Sequence, residues 1–326
     1  MSEPCAFVLR RTGGTEVLEA ELIDLPRPEA GQALVRHEAV GLNFIDTYHR
    51  SGLYKLPLPI GLGIEAAGIV EAVGEGVAGF REGDRVGYFS GPPGAYATHR
   101  AVDADRLVKL PDSIGFEQAA AAMLKGATAE YLIERCARIE AGQTVLVHAA
   151  AGGVGSILVP WLKAIGANVI AHAGDSRKAA QAEALGADHA LCCPMDSLAA
   201  EVRTLTDGQG VPVVLDGVGA ASWTASLGSV ARRGLLVTFG NASGAVPPFT
   251  ALDLHSAGSI FVTRPTLADY CKTPEEMAAS AKRLFEMVEK GAVTTRIGAT
   301  FPLLKAADAH RAIEARATTG STVLIP

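Results

Sequence analysis

The segment at residues 144–155 (TVLVHAAAGGVG) constrains the fold of this chain more than any other. An apolar run ends in small residues spaced Ala150-x-Gly152-x-x-Gly155, and an apolar segment follows at 157–164. Small residues in that spacing allow a sharp turn, let the backbone approach a pyrophosphate, and let the next helix pack closely on the strand. The segment therefore predicts a dinucleotide-binding turn in which N–H groups at the helix start face the phosphates.

The context of this turn decides between two interpretations. In a chain with 36 glycines, the spacing alone also fits an ordinary strand–turn–helix connection. A second strand-like run at 168–171 completes the spacing of a βαβ unit, which favours nucleotide binding.

The end of that second strand indicates which nucleotide binds. Enzymes that prefer NAD place an acidic residue about 20 residues beyond the glycines, where it accepts hydrogen bonds from the ribose and repels a 2′-phosphate. Here Gly174 stands in that region, and Ser176, Arg177 and Lys178 offer hydroxyl and cationic donors. The pattern predicts NADPH. Asp175 argues against this preference, and the two basic residues also fit a solvated first turn of the next helix.

Length and charge set outer limits. A chain of 326 residues exceeds the size at which one hydrophobic core stops growing, so two domains are expected. A net charge of −6 without any basic run disfavours nucleic acid and anionic membranes as partners. The first residues lack the features of a signal peptide, and no segment has the uninterrupted apolar length of a membrane span. We expect a cytoplasmic protein.

The cysteines and histidines give no metal signature. The five cysteines are odd in number and scattered, which favours reduced thiols over a disulfide framework. The eight histidines are dispersed, so each is interpreted as a surface or core imidazole.

The pattern of short strands changes along the chain. Alternating and glycine-bounded strands at 33–40, 68–74 and 83–87 predict a mainly β domain. From residue 116, helical segments alternate with strands, which predicts an α/β domain with a doubly wound parallel sheet. The turns at 217–219 and 239–241 follow two of these strands and should line the cofactor cleft, although both also fit plain tight turns.

With these features in hand, the chain resembles the medium-chain dehydrogenase/reductase superfamily and, within it, the zinc-independent quinone oxidoreductases. The resemblance implies a Rossmann cofactor-binding domain at 124–261 and a GroES-like catalytic domain at 1–123 and 262–326. The segments that carry it run nearly end to end: 41–48 (GLNFIDTY), 50–54 (RSGLY), 61–68 (GLGIEAAG), 82–86 (EGDRV), 124–128 (LKGAT), 148–155 (HAAAGGVG), 239–241 (FGN), 262–265 (VTRP) and 316–321 (RATTGS).

The resemblance also implies roles for individual residues. Those bordering the nicotinamide are Asn43, Tyr48 and Thr128; Gly153 and Val154 meet the pyrophosphate; Gly174 and Lys178 face the adenosine 2′-phosphate; Tyr131, Phe239, Gly240, Asn241, Arg264 and Arg316 complete the cofactor wall. The further predicted cofactor-binding residues are Asp46, Lys125, Gly152, Gly155, Ser176, Arg177, Cys193 and Val218. Close relatives have a Tyr where this chain has Cys193, which weakens one contact near the phosphate, although Arg177 could compensate.

The metal ligands of related enzymes are missing. Zinc alcohol dehydrogenases of the superfamily have a Cys in the region of Asn43 and Asp46, and a His-Glu pair where this chain has Ile64 and Glu65. Since imidazole and thiolate are the usual zinc ligands, we expect no metal.

Hydride transfer to a quinone or conjugated enone needs positioning and one or two hydrogen-bond donors for the developing oxyanion. We expect Asn43, Tyr48 and Tyr54 to be these catalytic donors, with the alternative that the tyrosines are structural rings. Asp46 is expected to orient a neighbour.

Three functions stay open at this point. The first is NADPH-dependent reduction of quinones, and the second is reduction of α,β-unsaturated carbonyl compounds. The third is a cofactor-binding protein with a structural or RNA-associated role, as in lens crystallins of the same family. The resemblance further implies a homodimer that forms through edge strands of the cofactor domain.

Overall fold

A computed structural model describes residues 3–326 of the chain. Its strands are β1 (Cys5–Leu9), β2 (Ala20–Leu22), β3 (Gln32–Leu42), β4 (Ile60–Gly61), β5 (Glu65–Val73), β6 (Arg85–Tyr88), β7 (His99–Asp103), β8 (Val108–Lys109), β9 (Thr144–His148), β10 (Asn168–His172), β11 (His189–Leu191), β12 (Val211–Asp216), β13 (Val230–Thr238), β14 (Phe261–Thr263), β15 (Ile297–Pro302) and β16 (Ser321–Ile325).

The α-helices of the same residues are α1 (Phe44–Ser51), α2 (Phe116–Glu130), α3 (Gly155–Ala164), α4 (Ser176–Ala184), α5 (Met195–Leu205), α6 (Trp223–Ser229), α7 (Ala251–Ser256), α8 (Leu267–Tyr270), α9 (Pro274–Glu289) and α10 (Ala306–Glu314). A π-helical turn, Tyr131–Cys136, continues α2. Within residues 3–326, none of these helices combines the length and the apolar character that a membrane span requires.

The chain divides into two compact units. The parallel-sheet unit comprises Ala127–Tyr270 and Glu286–Thr294. The mixed-sheet unit comprises the chain up to Gly126 together with Cys271–Phe285 and Thr295–Pro326.

The parallel-sheet unit is built on six strands in the order β11-β10-β9-β12-β13-β14. All neighbouring pairs run parallel. Helices follow the strands, so the central strands lie between two helical layers and are apolar along their length; Val145, Leu146 and Val147 of β9 are fully buried. The predicted doubly wound parallel sheet is confirmed, and its strand order is that of dinucleotide-binding folds.

The mixed-sheet unit contains a seven-stranded sheet in the order β15-β16-β3-β5-β6-β8, with β7 also paired to β3. Only β15 and β16 run parallel in this sheet. A second, antiparallel sheet has the order β2-β1-β4. Buried Val35, Val40, Leu62, Val86 and Leu324 belong to its core. The mainly β character expected for this part of the chain is found.

The boundaries of the units differ from the boundaries drawn on the sequence. Residues 262–270 were assigned to the catalytic domain, but Phe261–Thr263 pairs with β13 as the last strand of the parallel sheet, and the unit continues to Tyr270. The segment Glu286–Thr294 also belongs to the parallel-sheet unit.

Candidate active site

The glycine turn connects β9 to α3. Gly152 N–H donates to Ala149 O at 2.8 Å, and α3 begins at Gly155. A Cβ on Gly155 would collide with Ala149 O and lie 2.7 Å from Ala150 Cα, so only glycine lets the helix start this close to the turn. Ala149 itself has φ of 50°, a left-handed conformation that is uncommon for a residue with a side chain. The first turn of α3 is thereby held against the end of the strand, as a pyrophosphate site requires.

The segment after β10 leaves open space beside basic side chains. Gly174 is exposed, and a Cβ placed on it meets no atom within 4 Å. Asp175 caps α4, because its Oδ1 accepts Lys178 N–H at 2.8 Å. The same hydrogen bond lowers the pKa of Asp175, so its charge is directed at the helix start and towards Lys178 Nζ, 3.7 Å from its Oδ2. Ser176 and Arg177 are exposed in the first turn.

Cys193 lies near this segment in the fold. It is half-buried, and its carbonyl accepts a hydrogen bond from His172 Nε2 at 3.0 Å, which ties the residue to the end of β10. Burial raises the pKa of the Cys193 thiol.

The turns after β12 and β13 approach each other closely. A Cβ on Gly240 would lie 2.9 Å from Gly217 C, and one on Gly219 would lie 3.2 Å from Asn241 Cα. The carbonyl of Val218 accepts Ser243 N–H at 2.8 Å. Half-buried Phe239 follows β13 and packs its ring over Gly217. Val218, Phe239, Gly240 and Asn241 are thus brought together at the carboxyl edge of the sheet, where ligands bind in such folds.

Three more predicted cofactor residues lie in the parallel-sheet unit. Arg264 follows β14 and donates to Thr238 O at 3.0 Å. Thr128 is buried on α2. Tyr131 is buried in the π-helical turn and stacks on Tyr270, with 4.6 Å between ring centroids. Single π-turns inside helices are frequent at functional sites.

A network of buried polar side chains lies next to this edge of the sheet, and the sequence patterns did not predict it. Asp216 accepts hydrogen bonds from Ser222 Oγ at 2.7 Å and from Ser226 Oγ at 2.7 Å. Ser226 Oγ also lies 2.9 Å from His148 Nε2. Since the hydroxyl donates to the carboxylate, the imidazole must donate to the hydroxyl. Burial lowers the pKa of His148 to about 4, so the ring is neutral. The network links the ends of β9 and β12 through α6.

A second buried cluster lies in the mixed-sheet unit. Glu65 and Asp46 are fully buried, and Asn43 and Lys125 are 4% and 5% exposed. Asn43 Nδ2 donates to Glu65 Oε2 at 2.9 Å, and Lys125 Nζ lies 3.5 Å from the same oxygen. Burial raises the pKa of Glu65, while the charge of Lys125 opposes that rise. Glu65 was not predicted as a site residue, although it follows Ile64 in a segment that carried the family resemblance.

Asp46 orients the start of α1, as expected. Its Oδ2 accepts a hydrogen bond from Asn43 N–H at 2.9 Å, which is one of the two hydrogen bonds of a capping box. The same oxygen accepts a hydrogen bond from Tyr96 OH at 3.1 Å. Desolvation raises the pKa of Asp46 to about 7.

Tyr96 connects Asp46 to a fixed chain of hydrogen bonds. Its hydroxyl lies 3.0 Å from His310 Nε2, and Arg50 Nη1 donates to His310 Nδ1 at 3.2 Å. A guanidinium only donates, so Nε2 carries the imidazole hydrogen and donates to Tyr96. Arg50 is held in turn by Glu314 at 2.5 Å.

The predicted tyrosines lie together on and after α1. The rings of Tyr48 and Tyr54 pack edge to face with 5.1 Å between centroids, and Tyr54 N–H donates to Tyr48 O at 3.1 Å. Arg316, by contrast, follows α10 with φ of 55°. The mixed-sheet unit therefore brings Asn43, Asp46 and Lys125 together around Glu65, and it brings Tyr48 and Tyr54 together on and after α1.

No group of three or more His, Cys, Asp or Glu side chains that could hold a metal ion occurs in residues 3–326.

A Rossmann sheet with a glycine turn in one unit and a mainly antiparallel unit with a buried polar cluster in the other define a medium-chain dehydrogenase/reductase. The family model of the alcohol dehydrogenase GroES-like domain matches residues 29–112, and that of the zinc-binding dehydrogenase matches residues 153–286. Both parts of the predicted architecture, the Rossmann and the GroES-like domain, are confirmed.

Individual relatives narrow the assignment. A quinone oxidoreductase of Pseudomonas aeruginosa is 49% identical over 96% of this chain and 97% of its own length. A 2-haloacrylate reductase of a Burkholderia species is 40% identical over 98% of both chains. The crystal structure of Escherichia coli quinone oxidoreductase complexed with NADPH is 42% identical, with a TM-score of 0.96 and coverage of 99% of this chain and 100% of that one. The chain belongs to the quinone oxidoreductase family of the medium-chain dehydrogenases/reductases, as its sequence motifs predicted.

Proposed function

We propose that this chain is an NADPH-dependent quinone oxidoreductase that works without a metal ion. The observation that carries the proposal is the arrangement of the segment after β10. There is open space at Gly174, and Asp175 caps α4. The first turn of that helix contains Ser176, Arg177 and Lys178. This capping bond engages one oxygen of the Asp175 carboxylate. The relative of known structure from E. coli was crystallised with NADPH, which supports the same cofactor here.

The residues of the parallel-sheet unit fit this cofactor. The turn before α3, with Gly152, Gly153 and Val154, and Gly155 at the start of that helix take the pyrophosphate, because small residues let the backbone approach the phosphates closely. Cations near Gly174 take the 2′-phosphate. The other residues of this unit that we propose for cofactor contact are Thr128, Tyr131, Cys193, Val218, Phe239, Gly240, Asn241 and Arg264. Taken by itself, the mixed-sheet unit holds the predicted cofactor residues Asn43, Asp46, Tyr48 and Arg316. When bound, NADPH supplies the hydride that reduces the substrate.

The mixed-sheet unit supplies polar groups for the substrate. Tyr48 and Tyr54 carry their hydroxyls on adjacent rings. Asn43 also belongs to this set, and one of its two amide hydrogens is already given to Glu65. These groups position the acceptor and stabilise a developing oxyanion.

The proposal of metal-free reduction rests on the ligand chemistry of the chain. Asn43 and Ile64 stand where the resemblance places thiolate and imidazole in zinc enzymes, and neither is a good zinc ligand. Metal analysis of the purified protein is expected to find less than stoichiometric zinc, and turnover should survive dialysis against a chelator.

The competing activity is reduction of a carbon–carbon double bond next to a carbonyl or carboxyl group. It is favoured by one observation, the 2-haloacrylate reductase with 40% identity over 98% of the chain.

One experiment tests both. NADPH oxidation is measured with a naphthoquinone, an alkenal and 2-chloroacrylate as acceptors, and with NADH in place of NADPH. We expect the highest kcat/KM with the naphthoquinone and NADPH. In Lys178→Ala, KM for NADPH should rise about tenfold, since a charge-assisted hydrogen bond to phosphate is lost; exposed Lys282→Ala is the control. Faster turnover of 2-chloroacrylate would favour the alternative, and absence of turnover with all acceptors would contradict both.

We further propose a cytoplasmic homodimer. Strand β14 lies at one edge of the parallel sheet, and its Phe261 is 65% exposed, so pairing of two copies would cover both an open edge and an apolar ring. Light scattering of the purified protein measures the oligomeric state.

A further inference from the structure

The ammonium group of Lys125 is buried without a full set of acceptors. Lys125 is 5% exposed, and its Nζ lies 3.5 Å from Glu65 Oε2. In residues 3–326, no atom accepts a well-formed hydrogen bond from this Nζ. An ammonium has three N–H donors, and a buried charge with open donors is unfavourable until an acceptor reaches it. The position is therefore suited to receive an oxygen atom that the protein itself does not supply.

Glu65 holds this ammonium without saturating it. Its Oε1 accepts Leu124 N–H at 2.7 Å, and its Oε2 accepts Asn43 Nδ2 at 2.9 Å. The carboxylate is also packed against Gly41, where a Cβ would lie 2.8 Å from Glu65 Cδ. Because it is fixed by these contacts, the carboxylate cannot turn to take up the remaining hydrogens of Lys125.

Lys125 is the positively charged residue among the buried acids Glu65 and Asp46. Two buried acids, Glu65 and Asp46, interact with it electrostatically, and burial raises the pKa of both. Arg50, the other buried cation near Asp46, is tied to Glu314. According to the resemblance, zinc enzymes of the superfamily have a Cys in the region of Asn43 and Asp46 and a His-Glu pair at the positions of Ile64 and Glu65. Here the positive charge beside those positions is an ammonium.

We propose that Lys125 is a catalytic residue whose Nζ donates a hydrogen bond to the carbonyl oxygen of the substrate. The proposal rests on the proposed reductase function. During reduction the substrate gains one hydride, that is one proton with two electrons, from NADPH, which leaves as NADP+. The substrate oxygen takes up negative charge against Nζ, and a proton from water, which leaves hydroxide, completes the product, so the step takes no proton from Lys125.

The test separates substrate reduction from cofactor binding. Full-length wild type, Lys125→Met and the control Lys282→Met, an exposed position on α9, are compared. Because removal of Lys125 alone leaves Glu65 as an uncompensated buried charge, the double variant Lys125→Met/Glu65→Gln is included. Thermal unfolding checks the fold. NADPH binding is measured by fluorescence, and the oxidation of bound NADPH by a naphthoquinone is followed in a single turnover.

We expect the folded Lys125 variants to bind NADPH within threefold of wild type and to transfer hydride about 100-fold more slowly, the usual effect of losing one oxyanion donor. The Lys282→Met variant should match wild type in both measurements. A rate within threefold of wild type overturns the proposal. A parallel loss of NADPH binding overturns it as well, because Lys125 would then act on the cofactor. If wild type binds NADPH but reduces no quinone or enone, the proposed function itself is wrong.

Discussion

Tyr96 donates its phenolic hydrogen to Oδ2 of Asp46 across 3.1 Å, and both side chains are fully buried. The bond runs between the segment that precedes β7 and α1, whose first turn Asp46 also caps. Tyr96 therefore helps to position α1 through a carboxylate that has no contact with solvent.

Replacement of Tyr96 by Phe should lower the free energy of unfolding and leave the packing of the ring unchanged. The ring keeps its packing against Phe7, but Asp46 Oδ2 and His310 Nε2 both lose a partner. Asp46 Oδ2 keeps the hydrogen bond from Asn43 N–H, so only the N–H of His310 Nε2 is left unsatisfied. Because such a buried group costs about 1–3 kcal/mol, we expect the free energy of unfolding to fall by about 1–3 kcal/mol. Urea denaturation measures it. A loss below 0.5 kcal/mol, on the order of an ordinary surface substitution, would show that the bond contributes little.

His310 should make the protein sensitive to acid. Burial and the charge of Arg50 lower the pKa of His310 from its ordinary value of 6.5 to about 3. The unfolded chain therefore takes up this proton first, and the contribution of neutral His310 to stability is present above about pH 6.5 and is lost as the pH falls towards 3.

The variant His310→Gln isolates this effect. A glutamine can accept from Arg50 and donate to Tyr96, but it does not titrate. We expect its stability, measured by urea denaturation between pH 7 and pH 4, to fall less steeply with acid than that of wild type. His255→Gln at an exposed position is the control. Equal slopes in all three proteins would assign the acid sensitivity to other groups, such as buried His37 and His148, whose pKa values are lowered to about 4.

Gly155→Ala tests the glycine turn. The added methyl group would meet backbone atoms of Ala149 and Ala150, which cannot move without displacing the start of α3. We expect NADPH binding, measured by calorimetry, to weaken at least tenfold. Gly115→Ala is a matched control, because the same methyl group meets nothing within 4 Å there and φ is not positive. Unchanged binding in Gly155→Ala would mean that the close approach at this turn is not required.

Local patterns predicted the parallel sheet and its turns, because the relevant signals lie within short stretches of chain. The glycine spacing specifies the turn at Gly155, and alternation of strands and helices specifies a doubly wound sheet. The limits of the units were less predictable. Strand β14 is only three residues long and has no turn signal of its own, and only its pairing with β13 shows where it belongs.

The buried clusters could not be predicted from local patterns. Arg50 and Glu314 are 264 positions apart, and Asn43 and Glu65 are 22 apart. Residues so far apart in the sequence come into contact only when the chain folds, so local patterns do not identify them as partners. Asn43 was predicted as a donor to substrate from its place in a motif, but that motif does not reveal that Glu65 takes one of its amide hydrogens.

Gly174→Asp should reverse the preference for cofactor. The open space at Gly174 accepts a larger side chain, and a carboxylate there would repel a 2′-phosphate while accepting hydrogen bonds from a ribose. We expect kcat/KM for NADPH to fall at least tenfold and kcat/KM for NADH to rise. Gly174→Asn has nearly the same shape without the charge, so it should lower the NADPH value much less. If both variants lose NADPH activity equally, the effect is steric and the phosphate lies elsewhere. If Gly174→Asp keeps the wild-type ratio of NADPH to NADH turnover, the loop after β10 does not select the cofactor.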